Sequence, residues 1–307
     1  MCNPSVVPSS ATTASSMDHN NDGVANKELE QQVMPPSGFE RYRRWIEGGL
    51  LALSVCYGCV YHWNPPIPLH ESLCQDQQDG FVPGMECYRP DLVAYKVTSF
   101  LAMATMGFMG AYHWHFSSNQ QLKHMKTPQD RLFGRLPAAD YLNVVIFCYQ
   151  VWDFVVSITI PEHLDPVFLL HHVLAMITAY CSLEYQMMPY YSIFYGGCSE
   201  VSSIFLIFID PVDFFLPGNN SMVDTWVLAC QGMFVLSFTA YRIVGWIYYS
   251  FPLWRDCRHV MATGQAEQLR PGKTFVLRLF LGLDVVLGSL QCFWLYQIIK
   301  LLAGMFS

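Results

Sequence analysis

Charge is what this chain has least of. Only 13% of its 307 residues are charged, about half the roughly 25% of an ordinary soluble domain. Hydrophobic residues make up 52%, aromatics 15%, and mean hydropathy is +0.24. That balance leaves too little polar surface for a water-solvated globule and points to an integral membrane protein. A basic patch is also missing. With a net charge of −7 and no dominant cationic stripe, nucleic acid is not an expected partner. The first 38 residues lack any apolar run. They are rich in Ser, Thr, Asn, Pro and Gln and read as a disordered tail ahead of a membrane domain at 39–307. Without the apolar core of a cleaved signal peptide, the first spanning helix is expected to serve as the targeting signal. The eleven cysteines do not form a scaffold. Most, such as Cys148, Cys181, Cys198 and Cys230, sit in apolar stretches and act as small buried groups. The Cys56-Cys59 pair has CxxC spacing within an apolar segment. Structural zinc needs about four converging ligands, so no metal is expected.

What the chain has instead is seven apolar segments near the roughly 20 residues that cross a bilayer. They run Trp45–His62, Leu92–His115, Tyr141–Ile160, Pro166–Ser182, Pro189–Ile209, Met222–Ser250 and Thr274–Met305. The fold class is therefore all-α, a polytopic membrane helix bundle. Asp140 precedes the third segment, Asp165-Pro166 opens the fourth and Pro189 the fifth. Asp suits an N-cap, and proline suits a first turn whose N–H groups have no partner anyway. Basic residues alternate between loops. Arg41, Arg43 and Arg44 precede the first segment, Lys123, Lys126, Arg131 and Arg135 follow the second, and Arg255, Arg258, Arg270 and Lys273 follow the sixth. The intervening loops hold only Arg89. The positive-inside bias then places the N-terminus in the cytosol. On that topology Cys74 and Cys87 share one lumenal loop, where a disulfide is expected, and Asn219 heads a glycosylation sequon, Asn-Asn-Ser. Arg242 and Arg278 read as snorkelling cations near helix ends.

Polar residues inside the apolar segments are the candidate site. Asn143, Gln150, Asp153 and Ser157 fall within about 80° on the third helix, forming one polar stripe. The fourth helix carries His171 and His172, and His171, Ala175, Thr178 and Ser182 line one face. The fifth carries Glu200 among Gly196, Gly197, Ser199, Ser202 and Ser203. From helix rise, Asp153, both histidines and Glu200 lie at similar depth, roughly 8–14 Å from one boundary. Ionisable groups at such depth are costly and face a partner or a cavity. His171, His172, Asp153 and Glu200 are thus the candidate catalytic cluster, with Asn143, Gln150, Ser157, Thr178 and Ser203 as candidate substrate contacts. A neutral imidazole can act as general base near neutral pH. The alternative is that these groups only hydrogen-bond across helices and fix packing. Asp284, Gly288 and Gln291 share a face of the seventh helix and mark an inward side.

The stretches YQVWDFVVSI at 149–158, LLHHVLAMITAY at 169–180 and CSEVSSIFL at 198–206 resemble the TLC-domain family, which includes the translocon-associated TRAM proteins, the ceramide synthases and their smaller relatives. The shared pattern is an Asp on one helix, a His-His pair on the next, and an acid with serine on the one after. Glu200-Val201-Ser202-Ser203 stands where the synthases carry a paired-Asp element, so the chain looks most like the non-synthase branch. The resemblance implies a multi-pass protein of the endoplasmic reticulum, or alternatively the plasma membrane, that binds or regulates lipids and so contributes to membrane lipid homeostasis. The second reading is a sphingoid-base N-acyltransferase with His171 or His172 as general base and acyl-CoA as co-substrate; otherwise no cofactor is expected. Membrane lipids are the expected partners, with a homo-oligomer as a further option. A seven-helix receptor is disfavoured by the cytosolic N-terminus. A metal-dependent hydrolase of the alkaline-ceramidase type is disfavoured because 274–305 contains no histidine.

Overall fold

A computed structural model describes residues 37–63, 89–116, 120–215, 221–269 and 272–305. The tail, the Cys74–Cys87 loop and Asn219 lie outside them. Among the described residues every regular element is helical. The long helices are α1 (Gly38–Trp63), α2 (Pro90–Ala111, continued by a π-turn at Tyr112–Phe116), α5 (Pro137–Ser157) and α6 (Pro166–Tyr185). Short helices α3 (Gln120–His124) and α4 (Pro128–Phe133) bridge α2 and α5. The next path is broken: α7 (Pro189–Ser192), a π-turn at Ile193–Gly197, a 3₁₀ turn at Cys198–Glu200, then α8 (Val201–Phe215). It is followed by α9 (Ser221–Ser237), a π-segment at Phe238–Gly245, α10 (Trp246–Ala262), α11 (Gln265–Leu269) and α12 (Lys273–Met305).

Five of these helical runs are long and apolar enough to cross a membrane: Pro90–Phe116, Pro137–Ser157, Pro166–Tyr185, Thr225–Ala262 and Lys273–Leu301. The outward surface agrees. Leu51, Leu101, Phe108, Leu228, Leu236 and Phe251 are all exposed, a covering suited to lipid rather than water. The protein is an integral, multi-pass membrane protein. All seven expected segments coincide with helical paths. Two helix starts behave as the sequence chemistry dictates: Asp165 Oδ1 accepts the Val167 N–H at 2.8 Å, and Pro189 opens α7 after Met188 at φ +65°. The third does not. Its helix begins at Pro137, with Leu136 at the cap and Asp140 in the first turn. There Asp140 accepts from the Tyr42 hydroxyl at 2.8 Å, so it joins α1 to α5 instead of capping.

Ion pairs tie together loops that the charge pattern assigns to the same side. Arg131, before α5, grips Asp256 of α10 at 2.6 and 2.8 Å, and the Tyr191 hydroxyl donates to the same carboxylate. At the other end Arg89 holds Glu162 at 2.7 Å and Asp91 at 2.7 Å. That hydrogen bond draws the Glu162 carboxyl below its ordinary value of 4.5. A depressed carboxyl stabilises the fold above its unfolded pKa, and the contribution disappears as pH falls through the folded value. Acidifying from about pH 5 to about pH 3 is therefore expected to lower the melting temperature of the wild type more than that of Glu162→Gln. Equal slopes for the two proteins would remove the pair from the stability of this end.

α2 is the helix against which the broken path packs. At their crossing Gly110 faces Gly197: a Cβ on Gly110 would lie 2.2 Å from the Gly197 carbonyl carbon. Only backbone stands there, so no side chain can swing away. Small residues permit this approach in a bilayer. Gly110→Ala is expected to cost about 1–3 kcal/mol through overpacking, read as a lower melting temperature in detergent. A melting temperature equal to wild type would show that the helices do not cross at this glycine.

Candidate functional site

The site is built where α5, α6, the α7–α8 path, α10 and α12 converge. α5 packs on α6, and α6 on α12, so the polar stripe of α5 faces inward. Asn143, Gln150, Asp153 and Ser157 are all buried, as their common phase on one helix requires. They do not act as one group. Asn143 donates to Ser192 Oγ at 3.2 Å. Ser157 Oγ donates to Asp153 Oδ1 at 3.2 Å.

The two histidines separate. His172 is turned into the core, where Nδ1 meets Gln150 Oε1 and Nε2 lies 3.0 Å from Asp153 Oδ2. Neither Nε2 nor Oδ2 makes an aligned hydrogen bond to a described residue, though the contact between them is close. The ring is thus held between the Gln150 amide and the Asp153 carboxylate, and all three side chains are buried. Phe168 stacks edge-on against this ring, with centroids 4.2 Å apart.

His171, about 100° around the helix, takes the other role. It lines a cavity of about 100 Å³ together with Gln150, Thr178, Ser182, Glu200 and Arg242. Met106, Ile146, Leu283 and Leu287 supply apolar walls. Among the described residues, the Nδ1 atom of His171 has no hydrogen-bond partner, nor has Ser182 Oγ. One water needs about 10–15 Å³, so the cavity holds several, or one end of a larger molecule. Among the candidate residues, His171, Glu200, Asn143, Gln150 and Thr178 line it. His172, Asp153, Ser157 and Ser203 stand behind its walls. Thr178 Oγ1 bonds back to the Leu174 carbonyl at 2.8 Å, leaving its methyl group for the wall.

Glu200 does not meet the histidines. Its partner is Arg242, which overturns the snorkelling expected for that residue. Arg242 is buried, 7% exposed, and its Nη2 lies 3.0 Å from Glu200 Oε1. Its other donors reach Ser199 O, Ser202 Oγ, Ser203 Oγ and Gln291 Oε1 at 2.8–3.3 Å. Ser203 in turn donates to Glu200 Oε2 at 2.8 Å. Helical irregularity on both sides makes this possible. Glu200 ends the 3₁₀ turn after a π-turn, and Arg242 lies in the eight-residue π-segment. A π-turn adds a residue per turn and shifts the phase of the helix beyond it, which turns this side chain inward. A signal existed in the sequence. Glu200 had no cationic partner within the candidate cluster, buried charges occur in pairs, and Arg242 is the only Lys or Arg in the 222–250 segment.

Asp284 and Gln291 do point inward as expected. Asp284 accepts from Ser250 Oγ and Trp254 Nε1 at 2.9 Å each. Gly288 faces the Trp246 indole, 3.0 Å from a built Cβ. No group of three or more His, Cys, Asp or Glu that could hold a metal occurs among the described residues.

The arrangement thus pairs an available imidazole with a neutralised acid–guanidinium cluster across one small cavity. Compared with known proteins, residues 93–300 match the family model of the TLC domain. No curated protein and no solved structure matches the chain. The match takes in α5 to α8, with the Asp, His-His and acid–serine elements, as well as the helices that close the cavity, and it covers more than half of the chain; the protein belongs to the TLC-domain family.

Proposed function

We propose that this protein binds a membrane lipid with the lipid's polar end in the His171 cavity, and that it thereby contributes to lipid homeostasis in the endoplasmic reticulum membrane. The observation that supports this most is the cavity itself. It combines apolar walls with an imidazole nitrogen of His171 and the Ser182 hydroxyl, neither of which is hydrogen-bonded to a described residue. An unsatisfied buried polar atom costs free energy, and a lipid amine or hydroxyl would relieve that cost. At about 100 Å³ the cavity suits a head or a chain end, not an entire two-chain lipid.

The acyltransferase reading is narrowed to His171. His172 meets Gln150 at Nδ1 and faces Asp153 at Nε2, and Glu200 is paired with Arg242. Among the described residues, no carboxylate holds the His171 ring. Its ring neighbours are His172 and Trp294, with centroids 5.6 and 5.1 Å away. A general base normally has such an orienting group, which favours binding over catalysis.

The test is mass spectrometry of lipid that co-purifies with the full chain. Ala175 lines the cavity, and Ala175→Phe is expected to abolish retention of the bound lipid. His171→Gln is expected to lower it about tenfold, the worth of one hydrogen bond of about 1.4 kcal/mol. Retention unchanged by Ala175→Phe would remove the cavity as the site. In membranes supplied with labelled acyl-CoA and sphinganine no transfer is expected, and transfer lost in His171→Ala would sink the non-enzymatic reading.

A further inference from the structure

A second, larger hollow lies outside the inner cavity. It is a groove of about 700 Å³ between α10 with its preceding π-segment and α12, within the roughly 300–1,000 Å³ of small-molecule sites. On one side run Ile243, Ile247, Ser250 and Phe251, and on the other Val285, Gly288, Ser289 and Cys292. Ile247, Phe251 and Val285 are 53%, 73% and 53% exposed, so the groove opens sideways, where acyl chains lie. Towards the end of the bundle where Arg131 binds Asp256, the groove terminates at Trp254, Arg255 and Arg258.

These two arginines are available. Arg255 is 73% exposed in its side chain and only 3.8 Å from Asp256, whose carboxylate is already held by Arg131 and Tyr191. Arg258 is exposed and lies over the Trp254 ring at 5.4 Å. The acid in the groove, Asp284 of α12, is bonded to Ser250 and Trp254 of α10. An apolar lateral channel capped by two exposed guanidinium groups matches one kind of amphiphile.

We infer that the α10–α12 groove is a binding site for a bilayer phospholipid with an anionic headgroup, its phosphate at Arg255 and Arg258 and one acyl chain along Ile247, Phe251 and Val285. Guanidinium forks recognise phosphate oxygens, and basic residues at a membrane surface attract anionic lipids. The groove shares Arg242, Trp246 and Asp284 with the inner cavity as a common wall. The two spaces are adjacent, and the site does not depend on what the inner cavity holds.

Native mass spectrometry of the full chain, titrated with phosphatidylserine and phosphatidylcholine of identical chains, tests this. Wild type is expected to prefer phosphatidylserine. Arg255→Gln with Arg258→Gln is expected to lose about 30-fold of that preference, roughly a factor of five per cation, with an unchanged melting temperature because both side chains are exposed. Ser289→Trp, which fills the groove, is expected to lose both lipids. Ala175→Phe, which fills only the inner cavity, is expected to leave phosphatidylserine binding intact; its loss there would overturn the site in the groove. Preference retained in the double arginine variant would overturn it too. So would glycerophosphoserine competing as well as the intact lipid, or an acyl-CoA displacing phosphatidylserine at lower concentration than phosphatidylserine itself.

Discussion

Replacing Arg242 with alanine is expected to lower the melting temperature of the detergent-solubilised protein by about 10 °C or more. Breaking a buried ion pair by removing one partner costs about 3–5 kcal/mol, because the remaining charge stays buried without compensation. For a protein of this size each kcal/mol corresponds to about 2–4 °C. Arg242→Ala strands more than Glu200. The Ser199 carbonyl, Ser202, Ser203 and Gln291 all lose a donor, although serine hydroxyls can reorient. The paired change Arg242→Met with Glu200→Gln removes both charges and leaves a neutral amide beside Ser203. It is expected to recover a large part of the loss. A single variant that melts within one or two degrees of wild type would mean that Arg242 reaches the headgroups after all.

The second large effect is at Asp153. Asp153→Ala is expected to cost about 1–3 kcal/mol for each buried polar atom left without a partner, since both His172 Nε2 and Ser157 Oγ lose the carboxylate in a site where His172 is 2% exposed. Asp153→Asn separates charge from shape. The asparagine keeps the shape and can still hydrogen-bond Ser157 Oγ and His172 Nε2. Asp153→Asn is therefore expected to melt well above Asp153→Ala. If Asn and Ala were equally damaging, the contact would depend on the carboxylate charge and not on its shape. Scanning thermal unfolding with intrinsic tryptophan fluorescence measures both variants.

These two clusters show how far a reading of the residues reaches. Depth and phase along a helix depend on the chain's own repeat, so Asp153, Gln150 and the histidine pair were legible as neighbours. So were the apolar segments, whose length is set by the bilayer, and the Asp165 cap, whose hydrogen bond spans two residues. The TLC-domain pattern was visible for the same reason: its elements are short and fall within single helices. The Cys74–Cys87 pairing and the Asn219 sequon lie outside the described residues.

What required the tertiary structure was direction. Adjacent histidines point about 100° apart, and nothing local says which one faces the cavity. Packing of α5 on α6 commits His172 to Asp153 and leaves His171 to line the cavity. Glu200 and Arg242 were beyond reach for a further reason. Glu200 follows a π-turn and Arg242 lies within a π-segment, and a period of 3.6 residues carried across such a turn predicts the wrong face. Composition and periodicity determined by themselves that this is a helical membrane protein with polar groups inside its apolar segments. Which groups neutralise one another, and which one remains open to a ligand, was decided by contacts between helices distant in the chain.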